Sequence, residues 1–277
     1  MPERRIPEGM QRTGKPEGIR ENREDVKVIF VRLLSRGKNT LNFSDKITAV
    51  ILAGGMGTRL SSVVADRQKA VALVNGKPFL SYLFRQLLRS GIKHAVLCTG
   101  YKAEMVEAEL GSEFSGLKLS YSAEKQPLGT AGAVRLALDK VSTEYLLVMN
   151  GDSYIDTDFT AFFAWFEQRK INAGIILTAV EDASRYGKVV IDARERVIRF
   201  DEKQECAGSG LINAGIYLFN KKVLTCIPAN VKYSMEKDVF PGLAAANRLF
   251  GKKSDGRFID IGTPESYKMA ELFFLNM

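Results

Sequence analysis

The 277 residues contain one histidine, one tryptophan and three cysteines. A single His94 excludes metal sites built from histidine clusters and weakens any Ser-His-Asp triad. In or beside a strand it needs no functional role. Cys98, Cys206 and Cys226 have no paired spacing, so neither a disulfide framework nor a CxxC zinc site can be assembled from them. A reducing compartment suits such a chain. Long apolar runs are also missing. Tyr145 to Met149 and Gly174 to Val180 fall far short of the roughly 20 residues that span a bilayer as a helix, which excludes a membrane-spanning segment.

The sequence does have a core-forming composition, 45% hydrophobic and 26% charged, as in a soluble globular protein with one large core or two modest ones. The formal net charge is +8, and half of the excess sits in residues 1–46, which carry eleven Lys/Arg against seven Asp/Glu. Aromatic residues are not interleaved with the basic ones as on a base-stacking platform, so the charge points to small anionic substrates rather than to nucleic acid.

Residues 1–46 are rich in Arg, Glu, Gly and Pro apart from the apolar run Val26 to Leu34. Lys27 and Arg32 interrupt that run and no small-residue cleavage site follows, so it does not resemble a secretory signal. It is expected to be a flexible basic arm, with an amphipathic segment that docks on a partner as the other reading. From residue 47 to 277 the pattern changes to one α/β domain. Strands are predicted at Thr48–Ala53, His94–Thr99, Leu117–Ser122, Tyr145–Asn150 and Gly174–Val180. Helices are predicted at Phe79–Arg89, Lys102–Leu110, Thr130–Asp139 and Phe159–Lys170. Such alternation implies a mainly parallel sheet with helices on both faces and a ligand at the carboxyl ends of the strands. Shorter strands follow at Gly187–Ile191, Arg196–Phe200 and Leu211–Phe219, with a hairpin turn at Asp192–Glu195. A last helix should start at Thr263 as cap with Pro264 in its first position.

The first strand runs into Leu52-Ala53-Gly54-Gly55-Met56-Gly57-Thr58-Arg59-Leu60. Glycines let backbone N–H groups approach a phosphate, and Arg59 offers it a fork of donors. The spacing is not that of a Walker A loop, because Arg59 stands where its second glycine belongs, nor that of GxGxxG, where Leu60 replaces the third glycine. A Rossmann oxidoreductase is disfavoured on the same ground. Lys69 could fold back to this loop or be a solvated charge. Strand Tyr145–Asn150 ends in Gly151-Asp152, which places a carboxylate beside the loop, and Asp260 precedes the capped last helix. Each acid alone is as readily a turn or cap residue, but next to a phosphate loop the pair makes an Mg²⁺ site plausible.

These residues, together with Pro127 to Ala133, Asn150-Gly151-Asp152, Arg185-Tyr186-Gly187, Phe200 to Lys203, Ile212 to Tyr217 and Ile259 to Pro264, resemble the ordered motifs of the sugar-1-phosphate nucleotidyltransferases. Within that family they are most similar to the D-glycero-α-D-manno-heptose 1-phosphate guanylyltransferases, with the mannose-1-phosphate enzymes next. Residues 1–46 lie outside the resemblance. Two departures stand out. Gln68-Lys69-Ala70-Val71 keeps the loop lysine but lacks the flanking prolines common in the family, and Gln204 replaces a common proline.

The resemblance implies a Rossmann-like, GT-A-like three-layer fold on a mainly parallel mixed sheet. It also implies cytoplasmic transfer of a guanylyl group from GTP to a sugar 1-phosphate with Mg²⁺ as cofactor, without nucleic acid or membrane as partner and with room for a homo-oligomer. Arg59 and Lys69 would be catalytic. Leu52, Ala53, Gly54, Gly55, Gly57, Thr58, Gly129 and Thr130 would bind nucleotide, and Glu202, Lys203 and Asn213 the sugar phosphate. Asp152 and Asp260 would hold the metal. The alternatives are a mannose-1-phosphate guanylyltransferase, another sugar-1-phosphate nucleotidyltransferase, or a silent nucleotide-sugar-binding regulator. The last is disfavoured because Arg59, Lys69, Asp152 and Asp260 are all present.

Overall fold

The computed structural model describes residues 43–55, 69–201 and 208–275. Among these residues the strands are, in chain order, β1 (Ile47–Leu52), β2 (Leu73–Val74), β3 (Lys77–Pro78), β4 (His94–Thr99), β5 (Glu113–Phe114), β6 (Leu117–Ala123) and β7 (Tyr145–Asn150). After these come β8 (Ser153–Ile155), β9 (Ala173–Val180), β10 (Val189–Ile191), β11 (Val197–Phe200), β12 (Gly210–Asn220), β13 (Phe250–Lys253) and β14 (Phe258–Asp260). The helices are α1 (Leu80–Arg89), α2 (Ala103–Leu110), α3 (Gly129–Ala137), α4 (Phe159–Arg169), α5 (Lys221–Leu224), α6 (Phe240–Ala245) and α7 (Pro264–Phe274).

Eight strands form one sheet in the order β13-β9-β12-β7-β1-β4-β6-β5. β1 runs parallel to both β4 and β7, β4 to β6, and β13 to β9. β12 is antiparallel to both β7 and β9, and β5 to β6. The sheet is therefore mixed and mainly parallel, as the alternation of strand and helix predicts. Side chains alternate between its faces. On β1, Ile47, Ala49 and Ile51 enter one core and Val50 the other; on β7, Leu147 and Met149 oppose Leu146 and Val148 in the same way. The first core is covered by Leu83, Phe84 and Leu87 of α1, Phe162 and Phe166 of α4 and Phe274 of α7. The second is covered by Ala131 and Val134 of α3 and Phe240 of α6.

The structure extends or trims the predicted elements by one or two residues. Predicted helix Thr130–Asp139 starts one residue earlier and closes as a 3-10 turn, Leu138–Lys140. The turn at Asp192–Glu195 forms as expected, with Asp192 Oδ1 accepting from the N–H groups of Arg194 and Arg196, both at 2.9 Å. Thr263 and Ser266 make a reciprocal capping box with Pro264 at the helix start. Phe43–Lys46, within the predicted arm, form a 3-10 turn that packs on α4, the Phe43 ring 5.1 Å from Phe163 and Lys46 Nζ 3.3 Å from Glu167 Oε1. His94 opens β4 with Nε2 3.0 Å from Ser120 Oγ, and burial lowers its pKa. Cys98 and Cys226 are free thiols, and Cys206 lies outside the described residues. Among the described residues no helix is long and apolar enough to cross a membrane.

Candidate functional site

The parallel strands β1, β4, β6 and β7 end on one side of the sheet, and the turns that follow them line a cavity of about 610 Å³. The first wall comes from Leu52, Ala53, Gly54 and Gly55 after β1. The pairing of Leu52 with Asn150 brings the end of β7 alongside, where the Gly151 N–H donates to the Leu52 carbonyl at 2.9 Å. A Cβ on Gly151 would stand 2.6 Å from that carbonyl oxygen, so only glycine lets the two strand ends close. Asp152 follows directly. Its Oδ2 accepts from Lys69 Nζ at 2.7 Å, the Lys69 side chain being 16% exposed and that of Asp152 46%. Asp152 Oδ1 has no hydrogen-bond partner among the described residues.

Gly129 and Thr130, at the start of α3, also line the cavity. Gly129 has φ +71°, and a Cβ there would meet the Tyr233 carbonyl oxygen at 2.6 Å. That carbonyl accepts from the N–H groups of Ala131 (2.9 Å) and Gly132 (3.1 Å), which satisfies the first turn of α3. Thr130 Oγ1 donates to Glu236 Oε2 and accepts from the Met235 N–H, both at 2.8 Å. The Thr130 hydroxyl thus fastens the start of α3 to the segment at 233–236.

Asp260 ends β14, paired with Ser153 across β8, and the neighbouring Ile261 N–H donates to the Asp152 carbonyl at 2.9 Å. Asp260 thus ends a strand that pairs with β8, and Asp152 sits in the turn that leads into β8, but their carboxylates differ in company. Asp260 is buried and accepts from Arg185 Nη2 (2.9 and 3.1 Å), the Gly262 N–H (2.6 Å), Ser266 Oγ (3.2 Å) and the Tyr186 hydroxyl. Burial, and then the Asp260 hydrogen bond, push the Tyr186 pKa up, so its hydroxyl stays protonated as a donor. An all-oxygen pair of carboxylates fits Mg²⁺. Asp152 offers an oxygen without rearrangement, whereas Asp260 offers one only by giving up part of its contact with Arg185.

Asn213 sits in the register break of β12, where both of its polar atoms are used. Nδ2 donates to Tyr217 Oη at 3.0 Å and Oδ1 accepts from the Gly215 N–H at 2.9 Å. Asn213 and Asp260 are outside the cavity lining, while Leu52, Ala53, Gly54, Gly55, Lys69, Gly129, Thr130 and Asp152 share it. Gly57, Thr58, Arg59, Glu202 and Lys203 lie outside the described residues.

Sequence reasoning assigned no site role to Glu124, Tyr101, Lys232 or Glu236, which also line the cavity. Glu124 follows β6, and its Oε2 accepts from the Leu128 N–H at 3.0 Å. Its Oε1 lies so close to the turns after β1 and β4 that a Cβ on Gly54 or Gly100 would stand 3.4 or 3.0 Å from it. Burial raises its pKa, opposed by the Leu128 N–H. The usable signal was its place: an acid at the carboxyl end of a parallel strand, like Asp152.

A sheet that gathers a glycine turn, a lysine and two carboxylates at its carboxyl edge defines an α/β protein with its ligand site at the strand ends. Residues 48–276 match the nucleotidyl transferase family, and the chain belongs to it. It is 38% identical over 223 residues to the D-glycero-α-D-manno-heptose 1-phosphate guanylyltransferase of Aneurinibacillus thermoaerophilus, covering 80% of this chain and 96% of that one. It is 40% identical over 225 residues to the enzyme of the same name from Campylobacter jejuni, with 79% and 96% covered. Among solved structures, HddC from Yersinia pseudotuberculosis superposes with a TM-score of 0.74 at 34% identity, over 82% of this chain and 99% of that one. A second HddC structure, complexed with GMP-PN, gives 0.72 at 33% identity over the same shares of the two chains.

Proposed function

We propose that the protein transfers a guanylyl group from GTP to D-glycero-α-D-manno-heptose 1-phosphate, forming GDP-heptose and pyrophosphate. The similarity to the named guanylyltransferases supports the reaction. One observation carries the base: the Glu124 carboxylate, held at the cavity wall by Leu128. Guanine presents two donors side by side, N1–H and its amino group, which a carboxylate accepts as a pair. Uracil and thymine present one N–H between two carbonyl acceptors, which a carboxylate repels.

In this reaction an oxygen of the sugar phosphate attacks the α-phosphorus, the new P–O bond forms, and the bond to the β-phosphate oxygen breaks as pyrophosphate leaves. The nucleophile is a phosphate monoester with a second pKa of roughly 6, already largely dianionic at neutral pH. A general base is not needed, which suits a chain with one histidine placed at the start of β4. The protein must align two anions in line and neutralise charge as it moves to the leaving group. Gly54 to Gly57 and Thr58 would cradle the triphosphate, Arg59 its leaving end, and Lys69 the reacting phosphates. Lys203 would hold the sugar phosphate, with Glu202 and Asn213 facing the hydroxyls. Asn213 would do so with its second Nδ2 hydrogen or its second Oδ1 lone pair, beyond its two internal hydrogen bonds. Magnesium held by Asp152, and by Asp260 where Arg185 yields, would supply Lewis-acid charge at the phosphate oxygens. A reaction that consumes GTP would suit a cytoplasmic enzyme.

The test is a panel. Purified protein with Mg²⁺ is offered GTP, ATP, UTP, CTP and dTTP against heptose, mannose and glucose 1-phosphates, with pyrophosphate release and product mass followed. GTP with the heptose phosphate should give the highest kcat/KM. Failure of all sugar phosphates with GTP would overturn the proposal.

A further inference from the structure

Of nine tyrosines, Tyr101 stands apart. The other eight are buried or half-buried. Most of their hydroxyls are committed within the protein: Tyr82 to the Val74 carbonyl, Tyr186 to Asp260 and Tyr267 to the Leu73 carbonyl. Tyr101 is 57% exposed, and its hydroxyl has no hydrogen-bond partner among the described residues. A ring of that size left in water forgoes the burial that usually justifies an aromatic residue. It does so on the lining of the nucleotide cavity, beside Glu124.

Its mounting is rigid. β4 ends at Thr99, and the Ala103 N–H donates back to the Gly100 carbonyl at 3.1 Å, closing a tight turn with Tyr101 and Lys102 at its tip. Lys102 takes φ 56°, ψ 40°, a left-handed conformation unfavourable for a residue with a Cβ. Gly100 packs so closely on Glu124 that a Cβ would stand 3.0 Å from Oε1 and 3.1 Å from Cγ. The turn that carries Tyr101 is thereby packed against the carboxylate. Lys102 Nζ lies 5.4 Å from the ring centroid, a cation on an otherwise unpartnered aromatic.

We propose that Tyr101 is the stacking surface for the base of the bound nucleoside triphosphate, with Glu124 reading the edge of the same base. The identity of that base as guanine rests on the function proposed above; the stack itself does not, because every base has a π-face. The two residues then divide the work. Tyr101 supplies grip without choice, and Glu124 supplies choice.

Isothermal titration of the full chain tests the role of Tyr101. GTP and inorganic tripolyphosphate are titrated into wild type, Tyr101→Ala, Tyr101→Phe and Tyr101→Trp. Tyr101→Ala should bind GTP about tenfold more weakly, within the range of one base–aromatic stack, and bind tripolyphosphate as wild type does. Tyr101→Phe should restore GTP binding to within about twofold and Tyr101→Trp should match or exceed wild type, since the contact needs a ring and not a hydroxyl. In steady state, the KM for GTP should rise in Tyr101→Ala while that for the sugar phosphate does not. Unchanged GTP affinity in Tyr101→Ala overturns the stack, as does an equal loss for tripolyphosphate or a loss in Tyr101→Phe as large as in Tyr101→Ala. A wild-type preference for UTP or dTTP would remove the guanine assignment alone. Tyr101→Ala is then compared on the preferred nucleotide, where an unchanged affinity still overturns the stack.

Discussion

Lys69 Nζ and Asp152 Oδ2 lie 2.7 Å apart at the edge of the cavity, a lysine that is mostly covered against a carboxylate that is half open to it. A pair this exposed on one side contributes at most about 1 kcal/mol to stability. Its place beside the glycine turn is therefore better explained by what it offers to phosphate and metal than by folding. Asp152→Asn keeps the shape and removes the charge. Turnover should fall by about two orders of magnitude or more, while the thermal midpoint moves by only a few degrees. Pyrophosphate release and a melting curve on the same preparation check this, and near-normal Mg²⁺-dependent turnover would falsify the role of Asp152.

Asp260 should behave differently. It is buried under donors from Arg185, Tyr186, Gly262 and Ser266, so Asp260→Asn disturbs a hydrogen-bonded network whatever else it does. Bonds to a charged acceptor are worth roughly 1.5 to 3 kcal/mol each, and an amide leaves Arg185 without its counter-charge. The expected result is a loss of about 2 kcal/mol or more in the denaturant midpoint analysis together with loss of activity. A variant as stable as wild type would mean that the network is dispensable and that Asp260 serves the ligand alone.

The contrast between these two acids also marks how far the sequence was legible. β1 and β7 are long enough to show buried runs, and the motifs at their ends stand out because glycine and Asp follow an apolar strand. Three-residue β8 and β14 carry no periodicity, so the pairing of Asp260 with Ser153 could not be read. The Arg185–Asp260 contact joins residues 75 apart, and local pattern has no access to it. β12 reads correctly as a strand, but its insertion antiparallel between β7 and β9 is a choice of partner that its own residues do not encode. Glu124 and Tyr101 were missed for a related reason. One acid or one aromatic after a strand has no signature until β4 and β6 are seen to end at the same edge.

The glycine turn gives a separation of folding from binding. Around a Cβ built on Gly55 no atom of the described residues lies within 4 Å, whereas on Gly151 it would meet the Leu52 carbonyl oxygen at 2.6 Å. Gly151→Ala should therefore cost about 1 to 3 kcal/mol of stability through the forced shift of β1 against β7. Gly55→Ala should leave stability within about 0.5 kcal/mol and yet, in the proposed phosphate cradle, weaken GTP binding, because the methyl group would stand between phosphate and backbone. Calorimetric GTP titration of both variants, with their melting curves, distinguishes a phosphate loop from a plain turn. Unchanged GTP affinity in Gly55→Ala favours the turn.

Substrate choice should show unequal stringency at the two ends of the site. In the proposed base contact Glu124 would meet either two matched donors on guanine or a carbonyl that repels it, and a mismatch would leave it with the Leu128 N–H alone. Glu124→Gln should therefore narrow the preference for GTP over ITP, which lacks the amino group, more than it changes the KM for the sugar phosphate. At the sugar, heptose and mannose 1-phosphates differ only beyond C5, by one hydroxymethylene. A site with room for that group gives up little when the smaller sugar binds, and discrimination on such a scale is worth about 1 to 3 kcal/mol. The heptose phosphate should thus be the better acceptor by roughly tenfold to a few hundredfold in kcat/KM, with measurable turnover of mannose 1-phosphate. In its proposed role Lys203 would meet the same phosphate on both sugars, so Lys203→Ala should raise the KM of both sugar phosphates alike. Competition of the two sugar phosphates in one vessel, with products resolved by mass, gives the ratio directly. A preference for mannose 1-phosphate would reassign the sugar while leaving the guanylyl transfer intact.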